Sequence, residues 1–362
     1  MGEEQFFPCA QCGAKLEFDP AASAQVCTHC GFENAIETAD EPIEELNYTA
    51  HMAELAGQAE TVDVITVKCV GCGAESTQGP SETAGKCPFC GAAIVSTAQS
   101  HKLIKPASLL PFGVTKEQAR DSYRKWIHGL WFAPNALRRN ARQDTPVNGM
   151  YCPYWTYDTN TVTRYKGQRG DYYYTTESYT TTVNGKSVRR TRQVRKTRWR
   201  SASGTVSNAF DDVLVVASQS LPRQYAEALE PWDLQNLVPY KDDYLAGFRA
   251  ESYQVDLVQG FERAKELMAP TIHQTICRDI GGDEQRVSWT STQYNRVTFK
   301  HTLLPVWISA YRYGKKTYRF LVNARTGEVQ GERPWSWVKI TLAVLAGVAV
   351  VGAIAAIIAA NQ

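Results

Sequence analysis

Apolar and polar positions change period several times along this chain. Ala119, Tyr123, Trp126, Ile127 and Leu130 recur at three- and four-residue intervals, which predicts a helix with one buried face. Thr115, with Gln118 three residues on, reads as the capping box that opens it, and Pro134 ends it. After Tyr151 the period drops to two. Tyr154 to Tyr165 alternates aromatic and polar residues, and Tyr172–Val183 and Ser187–Arg200 flank Asn184–Gly185, a strong two-residue hairpin signal. Val213 to Ala217 reads as a buried strand, Pro222 to Leu237 as a helix broken by Pro231, and Phe248–Tyr253 as a strand. A helix follows from Asp256, capped with Gln259, its buried face marked by Phe261, Ala264, Leu267 and Met268. Pro270 is expected to kink or end it, with a second helix running to Asp279. Gly281–Gly282 is a turn. Strands are expected near Arg296–Leu303, Pro305–Tyr313 and Thr317–Asn323, with turns at Gly314–Lys316 and Arg325–Gly327.

The two ends of the chain follow other patterns. From Ile340 to Ala360 there are 21 residues with no charge and no proline. At about 1.5 Å per residue such a helix reaches roughly the 30 Å thickness of bilayer hydrocarbon. Trp335 and Trp337 stand at its entrance as interfacial aromatics, and Arg333 and Lys339 lie on the same side, which predicts a cytoplasmic N-terminal bulk. A core helix rarely stays apolar all round for this length. At the other end, Cys9, Cys12, Cys27 and Cys30 recur as Cys69, Cys72, Cys87 and Cys90, shifted by sixty residues, with fourteen residues between pairs in both copies. Ile36 and Ile94 follow the two copies. Between them Pro42 is expected to open a short helix with Ile43, Leu46 and Leu55 on one side.

Eight of the ten cysteines thus fall in CxxC pairs. Met1 to Phe7 has neither a basic nor an apolar stretch of the kind a signal peptide carries, so metal binding in a reducing compartment is preferred to disulfides. A CxxC turn brings two sulfurs to one ion, and Gly13, Gly31, Gly73 and Gly91 after the second cysteine of each pair allow the tight turn. Two pairs on two hairpins make a zinc ribbon. The expectation is two structural Zn2+ ions, four thiolates each, with no open coordination position for catalysis. His29 lies within a pair but is not needed as a ligand.

Charge separates two surfaces. Met1 to Ile65 holds thirteen acidic residues and one basic residue, Lys15, whereas Met150 to Arg200 holds eleven basic and three acidic. An acidic arm with a thiolate-bound metal repels phosphate, so a protein partner is favoured for the ribbons and nucleic acid disfavoured. Arg189, Arg190, Arg192, Arg195, Lys196, Arg198 and Arg200 crowd beside a tyrosine-rich strand. They suit RNA, anionic lipid or an acidic protein, or form a solvated hairpin whose arginines stack on their own tyrosines. No motif links the unpaired Cys152 and Cys277 to His128, His273 or His301. Gly281–Glu284 lacks the ligand spacing of a calcium loop, and no Walker motif is present, so an enzyme is not expected.

The expected fold class is therefore α+β. Zinc ribbon one spans 1–36, an acidic linker and helix 37–65, zinc ribbon two 66–100, a mixed α+β domain with long antiparallel hairpins 104–334, and a transmembrane helix 338–360. The CxxCGA-type ribbons, Leu130–Asn135, Pro153–Trp155, Phe210–Asp212, Asp279–Asp283 and Val322–Gly327 together resemble a bacterial family of TFIIB-type zinc-ribbon membrane proteins. That family is often labelled a primosomal protein N′ (PriA-like) helicase. The label reflects shared cysteine ribbons, since the helicase motifs are missing here. The architecture is also similar to zinc-ribbon membrane proteins encoded beside phage-shock-type and SPFH-type (stomatin, prohibitin, flotillin) proteins. The resemblance implies a tail-anchored adaptor at the cytoplasmic membrane. The alternative is a membrane-tethered nucleic-acid-binding protein without helicase activity.

Overall fold

The computed structural model describes residues 7–36, 42–55, 62–68, 75–77, 84–86, 93–95, 99–140, 147–183, 186–313 and 316–360. The chain opens with a small antiparallel sheet of β1 (Leu16–Asp19), β2 (Ala24–Cys27) and β3 (Glu33–Asn34). The acidic segment then behaves differently from its expected form. Leu46–Asn47 pairs as a short strand with Thr298–Phe299, and the helix begins only afterwards, as α1 (Tyr48–Leu55). Asn47 Oδ1 accepts the Ala50 N–H at 2.9 Å, so the cap sits five residues past Pro42.

The capping box at Thr115 forms, and α2 (Lys116–Gly129) buries Ala119, Tyr123 and Ile127. Tyr123 stacks on Phe320 at 3.7 Å between ring centres. The period-two region merges into strands far longer than the pattern alone suggests. These are β4 (Asn148–Val183) and β5 (Lys186–Val216), whose connecting Asn184–Gly185 lies outside the described residues. The proline-interrupted stretch near Pro222–Leu237 is a short helix, Arg223–Glu227, and one 3-10 turn, Leu234–Asn236. Only Arg249–Ala250 of the expected Phe248–Tyr253 strand pairs, parallel to Met150–Tyr151.

The next helix, α3 (Leu257–Ile280), runs unbroken through Pro270. Its apolar stripe of Phe261, Ala264, Met268, Ile272, Ile276 and Ile280 is buried on the sheet, and that packing outweighs the hydrogen bond the proline removes. Close approach at its first turn depends on Gly260: a Cβ there would stand 2.4 Å from Tyr157 Oη and 2.9 Å from Trp155 Cδ1. Both of those aromatics hydrogen-bond into the helix entrance, Trp155 Nε1 to Val255 O at 2.9 Å and Tyr157 Oη to Leu257 O at 2.7 Å.

One strand, β6 (Glu284–Tyr313), replaces the two expected there, followed by β7 (Lys316–Asn323), β8 (Val329–Gly331) and α4 (Trp337–Ala360). The long strands form the spine of a nine-stranded, mostly antiparallel sheet in the order β5-β4-β6. All three are irregular at one level. β4 slips register on both sides at Asp158, while Asp212 on β5 and Arg296 on β6 take positive φ of 49° and 51°. Such bulges bend a sheet and re-aim side chains. Here they gather Asp158 and Asp212 around Lys300.

Candidate functional site

The first ribbon is a preformed four-sulfur cluster. Cys9 Sγ lies 3.6 Å from Cys30 Sγ and Cys12 Sγ 3.5 Å from Cys27 Sγ, with all four sulfurs within 4.8 Å of one another. A tetrahedral shell with metal–sulfur bonds of about 2.3 Å sets sulfurs about 3.8 Å apart, so the cluster is of the size to hold one metal ion. Each CxxC pair closes the same way. The Gly13 N–H reaches Cys9 O at 2.8 Å and the Gly31 N–H reaches Cys27 O at 2.9 Å. Both glycines take φ near +70°, a region that penalises any Cβ. Backbone N–H groups of Gln11 and Cys30 point at Cys9 Sγ and Cys27 Sγ, at 3.4 and 3.5 Å, and stabilise thiolate.

The thiols divide accordingly. The Cys30 N–H leads the pull that lowers Cys27 to about 6 despite burial. Cys30 moves up to about 12: the Phe32 N–H draws it down, but burial and the neighbouring Cys12, Cys27 and Cys9 outweigh that. Four thiolates this close require a cation among them, which is the behaviour of a metal-ligand set.

This ribbon is fastened to the large domain. The Phe18 N–H bonds Ala246 O at 2.9 Å, and its ring lies 5.5 Å from Tyr244 and 6.3 Å from Phe248. Gln25 Nε2 donates to Asp243 O at 3.0 Å. Phe18 belongs to the same buried cluster as Leu130, Ala133, Leu137 and Val147, with Ile36 packed against it.

Cys69, Cys72, Cys87 and Cys90 lie outside the described residues. The backbone around them repeats part of the first ribbon. Gln25↔Asn34 and Val26↔Glu33 in β2–β3 recur, sixty residues on, as Gly85↔Ile94 and Lys86↔Ala93.

Helix α4 is long and apolar enough to cross a membrane over Trp337–Ala359, and none of it is buried within the chain. Its entrance is built from two distant segments. Lys339 Nζ donates to Ala133 O at 2.8 Å and Trp131 O at 3.2 Å, and the Ser336 N–H donates to Phe132 O at 2.8 Å. Trp131 (74%), Trp335 (51%) and Trp337 (76%) are strongly exposed there, a ring of amphipathic aromatics beside the apolar helix. Sequence reading found Trp335 and Trp337 but gave Trp131–Phe132 no role. Two adjacent large aromatics past the end of an amphipathic face were the available signal.

The remaining candidates differ in their surroundings. Cys152 is fully buried, and burial pushes its thiol well up. Cys277 Sγ is 3.7 Å from His273 Nδ1, one turn away on α3. His301 is buried, its Nδ1 2.9 Å from Ile104 O, and burial holds it down at about 4. His128 is exposed on α2. In the Gly281–Gly282 turn, Asp283 Oδ2 accepts the Tyr172 N–H at 2.6 Å and Glu284 Oε1 the Tyr172 hydroxyl at 2.8 Å, so both acids brace the sheet.

The basic hairpin does carry arginines on its own tyrosines: Arg195 over Tyr172 at 4.1 Å, Arg198 over Tyr173 at 5.0 Å and Arg192 over Tyr179 at 5.8 Å. All seven of its cations remain exposed.

No family model matches this chain, and no solved structure matches it. Over 339 residues it is 25% identical to a Bacillus subtilis (strain 168) protein described as uncharacterized protein YdjG, an alignment covering 91% of this chain and 90% of that one.

Proposed function

We propose that the protein is a membrane-anchored adaptor that holds two structural zinc ions and recruits a protein partner to the cytoplasmic membrane face. The observation that carries the reading is shared packing. Phe18 of the cysteine ribbon and Leu130 and Ala133, beside the root of α4, lie in one buried cluster. A metal-stabilised ribbon is thereby held in fixed relation to the start of an apolar helix. That is useful to a positioning device and unnecessary for a freely tethered binding module. Zinc suits a closed tetrathiolate set, because Cys-only ligation disfavours hard cations and leaves no open position for chemistry. The recurring β-register at Gly85↔Ile94 supports a second ribbon and hence a second ion. Arg333 and Lys339 at the root of α4 favour a cytoplasmic bulk, with single-pass tail anchoring. The thiolate charge and the acidic segment favour protein over nucleic acid as the ribbon's partner, and the resemblance to proteins encoded beside SPFH-type and phage-shock-type proteins makes membrane proteins of those kinds the first to test. No catalytic role is assigned to the domain.

The test is affinity purification of the intact, membrane-extracted protein with mass spectrometry. It runs beside a Phe32→Asp variant, which alters an exposed residue (40%) next to the second CxxC pair. A protein enriched with the parent and lost with the zinc-replete variant is the expected result. Submicromolar, sequence-selective binding of a nucleic acid by the ribbons, lost in the same variant, would promote the nucleic-acid reading instead.

A further inference from the structure

The β4–β5 hairpin outruns the sheet that supports it. β6 pairs with β4 only as far as Gly170↔Glu284, whereas β4 and β5 continue as a two-stranded arm to Val183↔Lys186. No described residue from 171 to 205 is buried. Two-stranded ribbons are marginally stable alone in water, so an arm of this length gains from being covered.

Strand alternation sorts its charges. Arg190, Arg192, Lys196, Arg198 and Arg200 all fall on one face, joined by Arg169, the cross-strand partner of Arg200. The acids opposite this row are Glu177, across from Arg192, and Asp171, across from Arg198. Successive same-face positions are about 6.7 Å apart, and a partner strand repeats at the same spacing. The edge of β5 is open as well: among the described residues it pairs only with β4. Its outward N–H and C=O groups are a template for another strand.

We propose that this arm binds an acidic, extended segment of a second polypeptide, added as a strand beside β5 with its carboxylates over the basic face. Strand addition supplies backbone hydrogen bonds, and alternate acidic residues would have their Cβ atoms about 5 Å from those of the cationic residues. The open edge of β5 favours a polypeptide as this occupant. Arg192 and Arg198 lie over the rings of Tyr179 and Tyr173, which removes those faces as platforms for bases. Glu177 already pairs with Lys196 and Asp171 with Arg169, at 2.9 Å each, so an acidic partner meets its cations chiefly at Arg190, Arg198 and Arg200. The arm also lies at the far end of β4 from Val147, which packs with Leu130 and Ala133 beside the root of α4. This surface is separate from the cysteine ribbon, so the proposal stands or falls independently of the adaptor reading.

The test uses the full chain in zwitterionic nanodiscs. The probe is a fluorescent peptide of about twelve residues alternating Glu and Thr, long enough to span the cationic row. Anisotropy should report binding that weakens about tenfold or more in the Arg190→Glu, Arg192→Glu, Arg198→Glu variant. On the unchanged protein, a similar loss is expected when alternate residues of the peptide are N-methylated, which keeps its charge but blocks one hydrogen-bonding edge. Equal binding of the methylated peptide would overturn strand addition. Tighter binding of an oligothymidylate of equal charge, or absence of peptide binding to the parent, would overturn the choice of partner.

Discussion

Lys300 Nζ lies 3.1 Å from Glu45 Oε1, an ion pair between residues 255 positions apart. Asp212 Oδ1 completes the pair from β5 at 2.8 Å, and Asp158 receives the Asp212 N–H and the Thr298 hydroxyl alongside. Lys300 is largely buried, so the acidic segment is latched to the sheet by a charge that water does not replace. The linker is further tied to the sheet where the Leu46 backbone pairs with Phe299 and the Tyr48 ring packs on Phe261, while the Leu46 side chain stays exposed.

Lys300→Met should leave three carboxylates facing one another. Breaking a buried pair from one side costs about 3–5 kcal/mol, and less where, as here, Glu45 and Asp212 are partly exposed. A glutamate-specific protease should then cut at Glu44 and Glu45 faster than in the parent. Parent-like cleavage and melting would show that the latch carries no load.

The same cluster has a pH signature. Burial, with Glu45 close by, raises Asp158 to about 6 from an ordinary 3.8, against the pull of the Asp212 N–H and Lys300. A raised carboxyl favours the folded state when protonated. Its ionisation therefore costs stability as pH climbs from 3.8 to about 6, and no further cost accrues above that. Asp158→Asn lacks this term. Its melting temperature relative to the parent should rise across that window and level off beyond it; a difference independent of pH would refute the assignment.

Gly260→Ala would ordinarily help a helix by about 1 kcal/mol. Here the added carbon meets Tyr157 Oη and Trp155, so a net loss of about 1–3 kcal/mol is expected by thermal unfolding. A stabilised variant would mean that α3 can lift from the sheet at little cost.

Elemental analysis of the purified chain should give two zinc ions, falling to one in Cys27→Ser, Cys30→Ser. Because Phe18 is packed against Tyr244 and Phe248, removing the metal should also raise the susceptibility of the 243–248 segment to proteolysis. A metal content near zero, with CxxC disulfides after reducing purification, would exclude the metal site.

Deleting Val338 to Gln362 should release the protein from membranes, leaving only weak, salt-insensitive vesicle binding through Trp131 and Phe132 that Trp131→Ala reduces. Carbonate-resistant pelleting of the truncated chain would move the anchor elsewhere.

Several features were legible because their physics is local. Two cysteines with two residues between them, followed by glycine, favour a tight turn toward a shared point, and the knuckles at Gly13 and Gly31 form it. The capping box at Thr115 closes within one turn. An uncharged stretch from Ile340 to Ala360 has no polar face on which to fold back, and α4 is unburied throughout.

What the sequence by itself determined, then, was chemistry held within a few residues: the first cysteine cluster, the helix caps at Thr115 and Asp256, and the apolar span. Tertiary structure decided everything that depends on a distant partner. Strand length was one such feature, since β4 and β6 continue through bulges and through Pro305 only because each has a neighbour to pair with. Helix α3 passes Pro270 because Met268 and Ile272 are buried on either side of it. Leu46–Asn47 becomes a strand because Thr298 and Phe299 offer an open edge, and Phe18 belongs to the large core because Tyr244 and Phe248 come to meet it. Hydrophobic contact and strand pairing have no fixed sequence separation, so a one-dimensional pattern records that a residue must be covered without recording by what.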